Sequence, residues 1–157
     1  RKTIAAQLRG VTAARVKPRR AASTTAIGAL VTAPMTVTQA VMEELLKRGR
    51  FTVVRDATGV DAVVEGEITA WNVVPVNFSG STGTTQATRY AISLSASVVY
   101  RKVGQKEPLW ANEAFVQRDE YDMGENAQNF FDREEQSVER LSAAFARSLV
   151  AAMLEAF

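Results

Sequence analysis

The chain of 157 residues has no cysteine and no histidine, only four prolines, and few aromatic side chains (8%). The first two absences exclude the most chemistry. Without cysteine there is no disulfide staple, no thiol nucleophile and no thiolate zinc site, and without histidine there is no imidazole acid–base pair and no serine triad that depends on one. Lack of cysteine does not by itself place the chain in a reducing or an oxidising compartment. Nor does it endanger folding, because a domain of this size buries roughly 68–70% of the surface its unfolded chain exposes, enough for an ordinary core. One globular domain fits the length, and a second large one does not.

Acidic residues are missing from the first part of the chain. Net charge is +2 overall, yet residues 1–50 carry +8 and residues 51–157 carry −6. No acid precedes Glu43, and Arg9, Arg15, Lys17, Arg19 and Arg20 concentrate the positive charge. Two readings of this segment stand side by side, a phosphate-binding arm and a solvated terminal stretch. From Ala21 to Met42 no residue is charged, but seven of those 22 residues are Ser, Thr or Gln, so the run is too polar for a membrane span or a signal sequence.

Periodicity predicts the elements. Thr36 and Gln39 stand at capping-box spacing, Val37, Val41 and Leu45 recur at helical intervals, and Gly49 ends the segment, which predicts a helix at about 36–48. A short β-prone run at Phe51–Val54 and an alternating stretch through Ala62, Val64, Ile68 and Ala70 predict strands, and the Ser/Thr/Gly-rich residues 77–86 predict a loop. The clearest strand places Tyr90, Ile92, Leu94, Ala96, Val98 and Tyr100 on one face and Arg89, Ala91, Ser93, Ser95 and Ser97 on the other. A third strand of the meander is expected at 109–118, with Trp110, Ala114 and Val116 sharing a face. Asp132 and Glu135 mark a helix start, and Val138, Leu141, Phe145, Leu149 and Met153 trace its apolar stripe to about residue 155. The predicted fold class is α+β: a two-layer sandwich with two helices packed on one face of a mixed or antiparallel sheet of about four strands.

No motif carries catalysis. The chain has no phosphate-binding loop, no dinucleotide fingerprint and no nucleophile elbow, so no catalytic residue and no cofactor is assigned. The acids Asp119, Glu120, Asp122, Glu125, Asp132, Glu134, Glu135 and Glu139 lack the spacing of a metal loop, so no metal site is expected. Aromatics do not interleave with the basic residues, so nucleic acid is not an expected partner except through Arg15, Lys17, Arg19 and Arg20. More telling is the row Ala91, Ser93, Ser95 and Ser97. Small uncharged side chains along a strand face let another surface approach closely, and this row is the candidate partner-facing surface, with a solvated face as the alternative.

Five stretches carry a family resemblance: TQAVMEELLKRGRFTVV, DAVVEGEITAWNVVPVNF, ATRYAISLSASVVYR, LWANEAFVQRDEYD and FFDREEQSVERLSAAFARSLVAAMLEAF. In order and spacing, residues 34–157 resemble the LptE family of lipopolysaccharide-assembly outer-membrane lipoproteins. The resemblance implies a non-enzymatic accessory that plugs the lumen of an LptD-type β-barrel, binds lipopolysaccharide, and works at the periplasmic face of the outer membrane. It implies a lipid anchor on an N-terminal cysteine, a residue these 157 positions do not include. Under this reading Arg89, Arg101 and Lys102 are the candidate lipopolysaccharide-binding residues, as donors to lipid phosphates. Residues 1–33 form a divergent basic stretch that begins like a first strand at Thr3-Ile4-Ala5 and then departs from the family, either as an insertion or as an out-of-frame reading. An envelope lipoprotein domain of the CsgG or TolB-N-terminal type, serving another assembly, is the alternative.

Overall fold

A computed structural model describes residues 2–9, 24–54, 58–80, 86–122 and 127–155. The basic run Arg15, Lys17, Arg19 and Arg20, with both readings placed on it, lies outside them, as does Glu125. The elements in chain order are β1 (Lys2–Arg9), α1 (Thr24–Lys47), β2 (Phe51–Val54), β3 (Ala62–Ser79), β4 (Gln86–Lys102), β5 (Trp110–Asp122) and α2 (Ala127–Glu155). They form one five-stranded mixed sheet in the order β2-β1-β3-β4-β5, with both helices on one face. The α+β two-layer sandwich is therefore the fold, with five strands where about four were expected.

The additional strand is β1. It lies between β2 and β3 and runs parallel to both, with Ile4 opposite Val53 on one side and Ala62 on the other. Parallel neighbours need a crossover of a dozen or more residues, and α1 supplies the one from β1 to β2. The remaining strands run antiparallel, as the hairpin and meander patterning predicts.

Alternation decides which side chains meet the helices. Ile92, Leu94, Ala96, Val98 and Tyr100 all turn inward and are buried, joined by Ile4, Ala6, Val64 and Ile68 from the neighbouring strands. α1 lays Val37, Val41 and Leu45 against β1 and β2, while α2 lays Leu141, Phe145, Leu149 and Met153 against β4 and β5. The two predicted stripes are thus the two buried stripes. Full burial of each such side chain contributes about 1.5–3 kcal/mol, so these residues dominate the stability of the sandwich.

Three expectations are corrected. α1 begins at Thr24, not near residue 36, so the Thr36–Gln39 spacing lies within the helix and Pro34 is an interior residue. α2 begins at Ala127, so Asp132 and Glu135 stand inside it. Third, Trp110, Ala114 and Val116 do not share a face. An irregularity between the Ala96–Phe115 and Val98–Asn112 pairs inserts a residue into β5 and reverses its alternation. Trp110 and Phe115 pack on the core, whereas Ala114 and Val116 are exposed.

Candidate functional site

The helices leave the other face of the sheet without a covering layer among the described residues. Its middle is the predicted row. Ala91 faces Val74 on β3 and Glu120 on β5, Ser93 faces Asn72 and Arg118, and Ser95 faces Ala70 and Val116. Because directly opposite side chains stand about 4.5–5.5 Å apart, the small β4 residues form the floor of a trough walled by Val74 and Asn72 of β3 and by Glu120, Arg118 and Val116 of β5, and low on the β3 side at Ala70. Ala91 is only 2% exposed, and Ser93, Ser95 and Ser97 are half-buried. Ordinary solvated sheet faces carry long charged residues at such positions; this one is low and uncharged along its centre.

Charges border the trough on both sides, with exposed Glu67 of β3 opposite Ser97, and with Arg118 and Glu120 on β5. Arg89 Nε donates to Asp122 Oδ1 at 2.7 Å and its Nη1 lies 4.0 Å from Glu120, which also pairs with Arg118 at 2.9 Å. The hydrogen bond from Arg89 holds the Asp122 carboxyl below the usual carboxylate range. Asp119, one position away and therefore on the opposite face, instead ties β5 to α2 through Ser137 Oγ at 3.0 Å and Arg140 Nη2 at 2.9 Å. Asp119, Glu120 and Asp122 are thus committed to arginines and to a helix.

The candidate lipopolysaccharide-binding residues are not brought together. Arg89 and Arg101 stand at opposite ends of β4, twelve positions apart, or roughly 40 Å along an extended strand. Arg101 pairs with Glu65 at 2.9 Å. Lys102 has no acidic partner among the described residues and lines a cleft of about 350 Å³ with Lys2, Asp61 and Tyr100. That cleft was missed at the sequence level, because strand register alone brings Lys2 beside residues a hundred positions later.

At the other end the β3–β4 hairpin outruns its neighbours. The last β1 pair is Arg9 with Glu67 and the last β5 pair is Asp122 with Arg89, so among the described residues β3 has no neighbour on its β1 side beyond Glu67, and only the hairpin tip beyond Asn77 and Arg89 lacks both neighbours. Residues 68–88 contain no charge at all. Val74, Val76 and Phe78 are exposed there, Phe78 by 55%. Three exposed apolar side chains within five residues form a patch of the kind that usually contacts something.

The sequence profile of the LptE lipopolysaccharide-assembly family matches residues 19–153. The chain belongs to the LptE family. That family is one of non-enzymatic accessory lipoproteins of the envelope. No curated protein sequence matches the chain significantly. Among solved structures, the rare lipoprotein B of Shewanella oneidensis is similar, with a TM-score of 0.58 at 13% identity over 98% of this chain and 95% of that one. An uncharacterized lipoprotein B of Nitrosomonas europaea gives a TM-score of 0.55 at 9% identity, covering 98% of this chain and 87% of the other. The minor lipoprotein of Acinetobacter baumannii gives 0.50 at 10% identity, covering 96% and 94%. At these identities the likeness is one of fold. It spans β1 as well as the residues matched by the LptE profile, so the strand outside the profile is part of the shared architecture. In this LptE-family chain no helix among the described residues is long and apolar enough to cross a membrane.

Proposed function

We propose that the chain is an accessory component of lipopolysaccharide assembly at the outer membrane, where it plugs the lumen of an LptD-type β-barrel and binds lipopolysaccharide. The observation that carries the reading is the trough of Ala91, Ser93, Ser95 and Ser97 on a sheet face with no covering layer among the described residues, in a chain of the LptE family. A barrel wall is itself a curved sheet, and two sheets approach to about 10 Å only where facing side chains are small or interdigitate. The low centre meets that requirement, and its rims of Val74, Asn72, Val116 and Arg118 supply mixed apolar and polar contacts.

Arg89, Arg101 and Lys102 are the proposed donors to lipopolysaccharide phosphates. Their environments rank them. Lys102 is available without exchange, whereas Arg89 and Arg101 must trade Asp122 and Glu65 for phosphate oxygens. Exposed pairs of that kind contribute little, so a phosphate with two charges displaces them readily.

The test is a detergent pull-down of the tagged, membrane-targeted protein from outer membranes of its own source, followed by mass spectrometry of proteins and lipids. A large β-barrel recovered with lipopolysaccharide supports the reading. Recovery of neither removes it and leaves an envelope fold serving another assembly.

A further inference from the structure

The open edges of the sheet are not alike among the described residues. β2 offers only the four residues Phe51–Val54, and the part of β1 beyond its pairing with β2 offers four more, ending in Arg9. The outer edge of β5 is longer, but it carries Glu113, Arg118, Asp119, Glu120 and Asp122 and a bulge near Asn112. Short length, charge and bulges are the devices that keep a sheet edge from pairing with another chain. The remaining edge is β3 beyond Glu67, on the flank where the pairing with β1 has ended. There Ile68–Ser79 holds β4 on one side only, contains no charged residue, and leaves Asn72 and Val74 exposed.

Irregularities in this stretch bracket a regular run. Register shifts fall between Ile68 and Ala70 and between Pro75 and Asn77, and between them Ala70–Val74 pairs without interruption with Ser95 back to Ala91. Five residues is an ordinary strand length. Proline is tolerated in a sheet at an edge or a bulge, and Pro75 stands at both, where it closes the run. A strand laid against Ala70–Val74 would continue along the flank of β3 that β1 already occupies up to Glu67.

An occupant of this edge must itself offer an unpaired strand. A closed barrel wall has none, because closure removes edges. A second copy of the chain has one, of the same length and equally free of charge. Two copies related by a twofold axis at Asn72, the middle of the run, lie antiparallel and set Ala70 of each opposite Val74 of the other, Trp71 opposite Val73, and the two Asn72 side chains opposite each other. No like charges meet in that register. In each copy β1 holds β3 up to Glu67, which limits the shared ladder to residues 68–76.

We propose that the chain self-associates through the β3 edge, two copies pairing Ala70–Val74 antiparallel to make one continuous sheet. The contact uses backbone groups on the flank of β3 and leaves the trough floor on β4 uncovered, so it does not rest on the barrel reading.

The experiment is sedimentation equilibrium of the full purified chain, from about 1 μM to a few hundred μM. The average mass is expected to rise from one chain to two and no further, because an isologous contact closes on itself. Asn72→Lys sets two like charges at the axis and raises the dissociation constant about tenfold, Asn72→Asp does the same, and a one-to-one mixture of the two variants restores association. Asn72 is exposed, so the circular dichroism and thermal midpoint of the dilute variants stay at the parent values. Val116→Arg, on the same open face but two strands away, associates like the parent. Hydrogen exchange of peptides covering residues 70–74 slows in the associated form. A single-chain mass at every concentration, association unchanged in both Asn72 variants, association lost in Val116→Arg, or unaltered exchange over residues 70–74 overturns the proposal.

Discussion

Phe145 is fully buried, and its ring meets Phe115 edge-on at 5.3 Å, joining α2 to β5. Phe145→Ala removes that contact and leaves a cavity, and urea unfolding is expected to show a loss of about 3–5 kcal/mol. Glu134 makes a pH prediction. It is buried on the inner side of α2, and desolvation raises its carboxyl above the usual range. The unfolded chain's carboxyl ionises near pH ~4.3, so above that value the unfolded state releases its proton first and stability falls as pH rises through the folded value. Glu134→Gln removes the penalty: its stability is expected to exceed the parent's at neutral pH and to match it below about pH 4. Asp122 has the opposite sign, since its depressed folded value adds stability that is present at neutral pH and lost as pH falls through that value. Both Asp122 and its partner Arg89 are exposed, so this contribution is small.

At the scale of elements, α2 is held on β5 by one polar junction set among apolar contacts. Ser137 is buried and donates to Asp119, which also accepts from Arg140. Asp119→Ala strands the buried hydroxyl, an expected cost of about 1–3 kcal/mol by denaturation. In Asp119→Ala/Ser137→Ala part of that cost returns, because no orphaned group remains; strict additivity of the two single changes would contradict the coupling. These elements also show how far sequence reading reaches. The periodicities of α1 and α2 predicted both buried stripes, and the alternation in β4 predicted both its faces. Helix starts were not legible, because Thr36–Gln39 and Asp132–Glu135 have cap spacing without being at ends. The facing of β5 was lost for a different reason: one inserted residue near Asn112 reverses alternation, and its only signature is the pairing with β4.

For the whole molecule, the open face and the core can be separated by substitution. Ser95→Arg sits on the uncovered face, opposite Ala70 and Val116, and is expected to change unfolding free energy by no more than ~0.5 kcal/mol. It fills the trough, so recovery of the β-barrel in pull-downs is expected to fall sharply; full recovery would assign the barrel contact to another surface. Deleting residues 2–9 is a different perturbation. It removes the strand between β2 and β3 and uncovers the α1 stripe, and loss of cooperative unfolding is the expected result.

By itself the amino-acid sequence determined the class of the fold, the two helix stripes, the inner and outer faces of β4, the exclusion of thiol and imidazole chemistry, and the family. These follow from local periodicity, composition and wording, each readable over a few turns or strands. Tertiary structure alone decided that β1 occupies the middle of the sheet, that the hairpin extends beyond its neighbours, that Arg89 and Arg101 stand at opposite ends and are each paired, and that Lys2 and Lys102 share one cleft. The physical reason is register. Hydrogen bonding between strands fixes which distant residues become neighbours, and no pattern within a single segment encodes the partner it will be paired with.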